Sequence, residues 1–81
     1  MFSTIVLVML MTYERIRGLR EDHDKKQKEI AALLHTTQQH YNRIELGLTE
    51  ITADRIIILA KYYGVTTDYI LGLSDDENNK K

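Results

Sequence analysis

The sequence predicts an all-α fold of five short helices packed as one compact domain, and three observations carry that prediction. Apolar residues recur at helical spacing, as in Ile30, Leu33 and Leu34 or in Ile56, Leu59, Ala60 and Tyr63. Thr12, Thr52 and Thr66 each follow an apolar residue and precede another four helical positions on, the arrangement of an N-cap closed by a hydrophobic staple. Gly47 and Gly64 sit where such stretches end and a left-handed exit is needed. A chain of 81 residues fits one domain.

Three segments are expected: an apolar extension over 1–11, the helical domain over 12–73 and a polar tail over 74–81. For the extension two readings stand open. Met11 directly before the Thr12 cap marks a natural start, so the preceding residues reflect an upstream start codon. Alternatively "STIVLVML" is β-branched and aliphatic enough for a strand, which needs a partner such as a second copy.

The first helix is expected to start at Thr12, with Met11 and Ile16 as its staple. The second buries Ile30, Leu33 and Leu34, and small Ala31 permits close crossing by a neighbour. Its start falls between Asp24, which makes a capping-box pattern with Gln27, and Lys26. The third begins at the Thr37 cap, runs through Glu45, turns Tyr41 and Ile44 inward and exits at Gly47. Only His35 and Thr36 separate these two helices, so the chain must turn sharply. The fourth, capped by Thr52, buries Ile56, Leu59, Ala60 and Tyr63 and ends at Gly64. The fifth, capped by Thr66, carries Tyr69, Ile70 and Leu71. Ser74 to Lys81 has no apolar residue and is expected to fray.

Composition excludes several classes. No cysteine means no disulfide framework and no thiolate zinc site, which suits a reducing cytoplasm. The apolar run from Phe2 to Met11 is well short of the roughly 20 residues of a membrane helix and lacks a basic start or cleavage site, so neither a signal peptide nor a membrane anchor is expected. His35 and His40 lie across a helix start with no carboxylate converging on them, so no metal site is expected. No nucleophile, base and orienting group converge, and no glycine-rich loop cradles a phosphate, so the chain reads as a non-enzyme with no cofactor and no small-molecule substrate. A net charge of −1 is unlike the basic balance of most nucleic-acid binders, but Arg15, Arg17, Arg20, Lys25, Lys26 and Lys28 cluster in one stretch, far from Asp75, Asp76 and Glu77.

The outer face of the third helix carries the chemistry. Gln38, Gln39, Asn42 and Arg43 form an i, i+1, i+4, i+5 patch without an apolar member. Such a face is usually just solvated; a sharp turn ahead of it gives it another use. A glutamine amide matches the N6 and N7 of adenine, an arginine fork matches the O6 and N7 of guanine, and each good bidentate pair contributes about 1–3 kcal/mol of discrimination.

The order of "RIRGLR" (15–20), "QKEIAALL" (27–34), "TTQQHYNRIELG" (36–47) and "ILAKYYGVTTDYILG" (58–72) resembles the phage-repressor and Cro-like helix-turn-helix family, regulators of the xenobiotic-response-element type, from Thr12 to Leu73. The resemblance implies a lambda-repressor-like fold, with the helix-turn-helix made by the second and third helices, and a transcriptional regulator, a repressor by preference, that binds double-stranded operator DNA as a homodimer. "TTQQ" is similar to the start of the recognition helix of the 434 phage repressor, a system long used to describe this docking geometry. That likeness implies base contacts by Thr37, Gln38 and Gln39, with Arg43 and Asn42 further along the groove. Gln27 resembles the glutamine that meets a phosphate at the start of the second helix, where Lys25, Lys26 and Lys28 add charge. Arg20 and Glu45 match a structural ion pair of the family, and Tyr69, Leu71 and Leu73 are the candidate dimer contacts. The chain departs from the pattern at Leu46, Leu48, Thr49 and Glu50, where a basic phosphate clamp is common, and at His35, where glycine or asparagine is usual. These departures keep open a second reading, a protein-binding module on the same fold that uses Leu46 and Leu48.

Overall fold

The computed structural model describes residues 4–77. Among them lie α1 (Thr4–Asp22), α2 (Gln27–Leu33), α3 (Gln38–Glu45), α4 (Ala53–Tyr63) and α5 (Thr67–Ile70), with no strand. α2 packs on α3, α1 spans both α3 and α5, and α4 closes against α5. Each helix drives at least one side chain into a common centre: Ile16, Ile30, Tyr41, Ile44, Leu59 and Ile70 are fully buried. Ala31 is buried beside them, as a close helix crossing requires.

The first helix differs from its expected start. Thr12 is buried within α1 rather than capping it, and the helix runs on toward the N-terminus through residues expected to form a strand or a dispensable extension. The reason is local. Residues 5–11 contain no glycine, proline or competing polar side chain, and extending an existing helix needs no new nucleus, whereas a lone strand leaves its backbone groups unpaired. Residues 1–3 of the extension lie outside the described residues.

The second helix takes the later of its two starts. Asp24 has φ 54 and lies in the turn that ends α1, so the N-cap passes to Lys26, whose N–H donates to the Glu29 carboxylate at 3.2 Å. Thr37 and Thr66 cap as expected, accepting from the N–H of His40 at 3.1 Å and of Tyr69 at 3.0 Å. Thr52 holds the N-cap position of α4 without a side-chain cap bond. Its hydroxyl instead engages the Asp54 carboxyl, which is held below the usual carboxylate range by that contact first and by backbone N–H groups next. The tail is also more ordered than its polarity suggests: Arg15 donates to the Ser74 and Tyr69 carbonyls and pairs with Asp75 at 2.8 Å, while the Thr66 N–H donates to the Glu77 carbonyl. Residues 78–81 lie outside the described residues.

Gly47 ends α3 with φ 74, its N–H donating to Ile44 and the next one to Arg43. A Cβ there would stand 2.9 Å from the Tyr13 ring. Gly47→Ala therefore meets both a left-handed backbone and a wall, and it is expected to destabilise by about 1–2 kcal/mol or more. Urea unfolding checks this, and an unchanged midpoint would mean that Tyr13 yields freely.

Candidate nucleic-acid interface

The connection from α2 to α3 is Leu34–Thr37. The Thr36 N–H donates to Ala31 and the His35 N–H to Ala32, a motif that reverses the chain around one left-handed residue. That residue is His35, at φ 56, in a conformation histidine adopts more readily than most side chains. The chain then enters α3 through the Thr37 cap.

α3 is divided by burial. Tyr41 and Ile44 are inaccessible and Glu45 is nearly so, whereas Thr37, Gln38, Gln39 and Arg43 are exposed. The inward residues fix the rotation of the helix, and through it the direction of the outward ones. Asn42 is half-buried and sits at the boundary.

Beneath that boundary lies a charged network. Arg20 grips Glu45 with both arms of its guanidinium, at 2.6 and 3.1 Å, with side chains only 14% and 3% exposed. Its remaining nitrogen donates to the Lys25 carbonyl, which ties the end of α1 to the approach of α2. Burial pushes the Glu45 carboxyl up, but the bonds from Arg20 and Gln27 outweigh it and hold the group below the usual carboxylate range. The same pairing raises the Arg20 guanidinium further. The Tyr41 hydroxyl is buried nearby without a hydrogen bond of good geometry, and burial drives its pKa up.

Gln27, the expected phosphate contact, is engaged within the chain. Its amide nitrogen donates to the Glu45 carboxylate at 3.1 Å and to Asn42 Oδ1 at 2.9 Å. A carboxylate only accepts, so the amide must turn its N–H groups inward and its carbonyl oxygen away. Its carbonyl oxygen is held toward Gln27, so Asn42 presents its NH₂ group, a donor suited to a phosphate or a purine acceptor. Arg17, Arg20, Gln27, Asn42, Glu45 and Leu46 line a cavity of about 220 Å³ at this point.

Lys26 and Lys28 are exposed at the start of α2 and Lys25 is half-buried, so all three lie beside the helix that leads into the turn. Arg55 on α4 was not singled out by sequence reasoning. It donates to His40 Nε2 at 3.3 Å, bringing another cation to the flank of α3, and no local sequence signal joins two residues 15 apart. The three candidate dimer residues are not equivalent. Leu73 is 64% exposed, but Leu71 packs partly against the core and Tyr69 lies under the Arg15 guanidinium at 4.2 Å. Leu46 and Leu48 are each 60% exposed. Among the described residues no helix is long and apolar enough to cross a membrane, and no three His, Cys, Asp or Glu residues cluster as metal ligands would.

A short helix pair joined by a tight left-handed turn, with the second helix polar outward and clamped inward, defines a helix-turn-helix. The chain belongs to the helix-turn-helix family HTH_3, whose model matches residues 16–70. It is similar to a Bacillus subtilis (strain 168) protein named as an uncharacterized HTH-type transcriptional regulator, YobD, with 34% identity over 70 residues. That match covers 86% of this chain and 62% of the relative, so the chain spans less than two thirds of the relative's length. No solved structure matches.

Proposed function

We propose that the chain is a sequence-specific DNA-binding regulator that lays the N-terminal half of α3 in the major groove. The observation that carries this reading is the exposed row Thr37, Gln38, Gln39 and Arg43, held in one direction by Tyr41, Ile44 and the Arg20–Glu45 pair behind it. Gln38 faces adenine, the Thr37 methyl and the Gln39 stem rest against thymine methyls, and Arg43 reaches a guanine deeper in the groove. Asn42, through its NH₂ group, and Lys25, Lys26 and Lys28 hold phosphates and set register. Gln27 contributes by orienting Asn42, and reaches a phosphate only if its amide turns.

One such helix contacts few base pairs, so two copies bind a palindrome with their recognition helices about 34 Å apart. The regulator is a repressor by this reading, acting by occupying its operator in the cytoplasm. The exposed Leu46 and Leu48 favour a second reading, a protein-binding module with little affinity for DNA.

Selection of duplexes from a random pool, followed by salt titration on the winner, separates the two. The DNA reading predicts a palindromic motif with adenine enriched in each half-site and a log–log salt slope of about −0.9 per phosphate contacted. A pool without enrichment, and binding that is flat in salt, would support the protein-binding module.

A further inference from the structure

The N-terminal half of α1 is apolar on all sides. Residues 5–11 have no polar member, and Val6, Leu7, Met9, Leu10 and Met11 are between 36 and 49% exposed. Isolated exposed aliphatics are ordinary; a whole helical segment of them marks a surface built for contact. The surface continues onto the loop after α5. Gly72 lies so close to Met11 that an added Cβ would come within 2.9 Å of it, and Leu73 beside it is 64% exposed.

We infer that this segment is a docking surface for a second copy of the same chain, with the two α1 segments packed on each other and Leu73 at the margin. Area, charge and cavity size select this occupant. The exposed side chains amount to roughly 500 Å² per copy, so a pair buries at most about 1,000 Å², the lower limit for a specific interface. A two-fold contact sets a surface against its own image, which penalises charge, and from Thr4 to Tyr13 there is none. A lipid surface fits poorly, because from Thr4 to Tyr13 there is no cation, the first charge met is Glu14, and the arginines that follow are engaged within the chain, Arg15 with Asp75 and the Tyr69 and Ser74 carbonyls and Arg17 with Glu21. Of the sequence outside the described residues, 78–81 is wholly polar and 1–3 offers only Met1 and Phe2, too little to cover a segment of seven apolar residues.

A cavity of about 190 Å³ on the flank, lined by Met9, Tyr13, Ile51, Ile56 and Leu71 among others, has room for an aliphatic side chain of the other copy. It falls short of the roughly 300 Å³ at which small-molecule sites begin. The surface also leaves the proposed DNA face free, since Leu7 lies 13 residues, about 20 Å of helix, from Arg20 behind α3. The interface thus moves from α5, where Tyr69 and Leu71 are engaged within their own subunit, to α1. This inference sharpens the dimer of the proposed function but does not depend on DNA binding.

Sedimentation of the full chain without DNA tests it. The wild-type chain is expected to be a dimer at concentrations where Leu10→Lys and Leu7→Lys variants are monomers with the same unfolding midpoint for the domain body. Because the sequence has no cysteine, Leu10→Cys offers a second readout. It is expected to form disulfide-linked dimers under mild oxidation, whereas Lys61→Cys on the exposed face of α4 is not. A wild-type chain that stays monomeric, lysine variants that remain dimers, or equal cross-linking at both positions would each overturn the inference. So would a monomeric wild-type chain that binds neutral lipid vesicles through Leu10. Loss of the dimer by Leu10→Lys with weak binding to a single half-site retained leaves the DNA reading intact, so the two can fail separately.

Discussion

Glu45→Ala lowers the stability of the domain by about 3–5 kcal/mol, because it leaves the Arg20 guanidinium buried without its partner. For a domain of this size each kcal/mol moves the midpoint by about 4–8 °C, so thermal unfolding should fall by more than about 10 °C. Removing one charge is worse than removing both. Arg20→Met combined with Glu45→Leu should recover much of the loss, and calorimetry of the wild type, Arg20→Met, Glu45→Leu and the double variant would resolve a large coupling. Acid acts on the same pair. The Glu45 carboxyl titrates lower in the folded chain than in the unfolded one, so its stabilisation is complete above the ordinary carboxylate range and drains away as pH falls through the depressed value. The acid-side decline should be shallower in the doubly substituted chain. A loss below about 1 kcal/mol for Glu45→Ala would place the pair with ordinary surface bridges, against its 3% exposure.

Gln38→Ala and Arg43→Ala should each weaken binding to the preferred duplex by about 1–3 kcal/mol, or roughly 5- to 150-fold, while relaxing the preference at one base position per half-site. Both side chains are exposed and neither makes a contact that holds the fold, so their unfolding midpoints should stay at the wild-type value. Lys28→Ala should behave differently, weakening all duplexes about equally and reducing the salt slope by about one. Fluorescence anisotropy on matched and mismatched duplexes at two salt concentrations separates these patterns. If Gln38→Ala and Lys28→Ala weaken every duplex alike, the glutamine holds backbone and reads nothing.

The parts of this account that sequence made legible are those encoded within one helical turn or two. Tyr41, Ile44, Ile56, Leu59, Ala60 and Tyr63 are buried where their spacing puts them, and the Thr37 and Thr66 caps form where the chain signals them. What sequence misplaced depends on contacts made far along the chain or on competition between equal local signals. Thr12 carries every mark of a cap, yet the segment ahead of it is as willing to be helix as strand, and an adjoining helix decides the matter. The tail is polar and still ordered through Glu77, because Arg15, 60 residues from Asp75, reaches across to hold it. At the site, the face of α3 follows from its period, but the direction of the Gln27 amide does not. It is set by a carboxylate 18 residues away that can only accept.

If the chain reads DNA as proposed, side chains on the outer face of α3 meet atoms on the major-groove edges of bases. The most direct measurement is binding to the selected duplex with single purines replaced by 7-deaza analogues, which delete N7 and leave the minor groove unchanged. Affinity is expected to fall at a few purines in each half-site, and at the one facing Gln38 that loss should vanish in Gln38→Ala. Indifference to every N7 deletion, with sensitivity to changes in the minor groove instead, would contradict it.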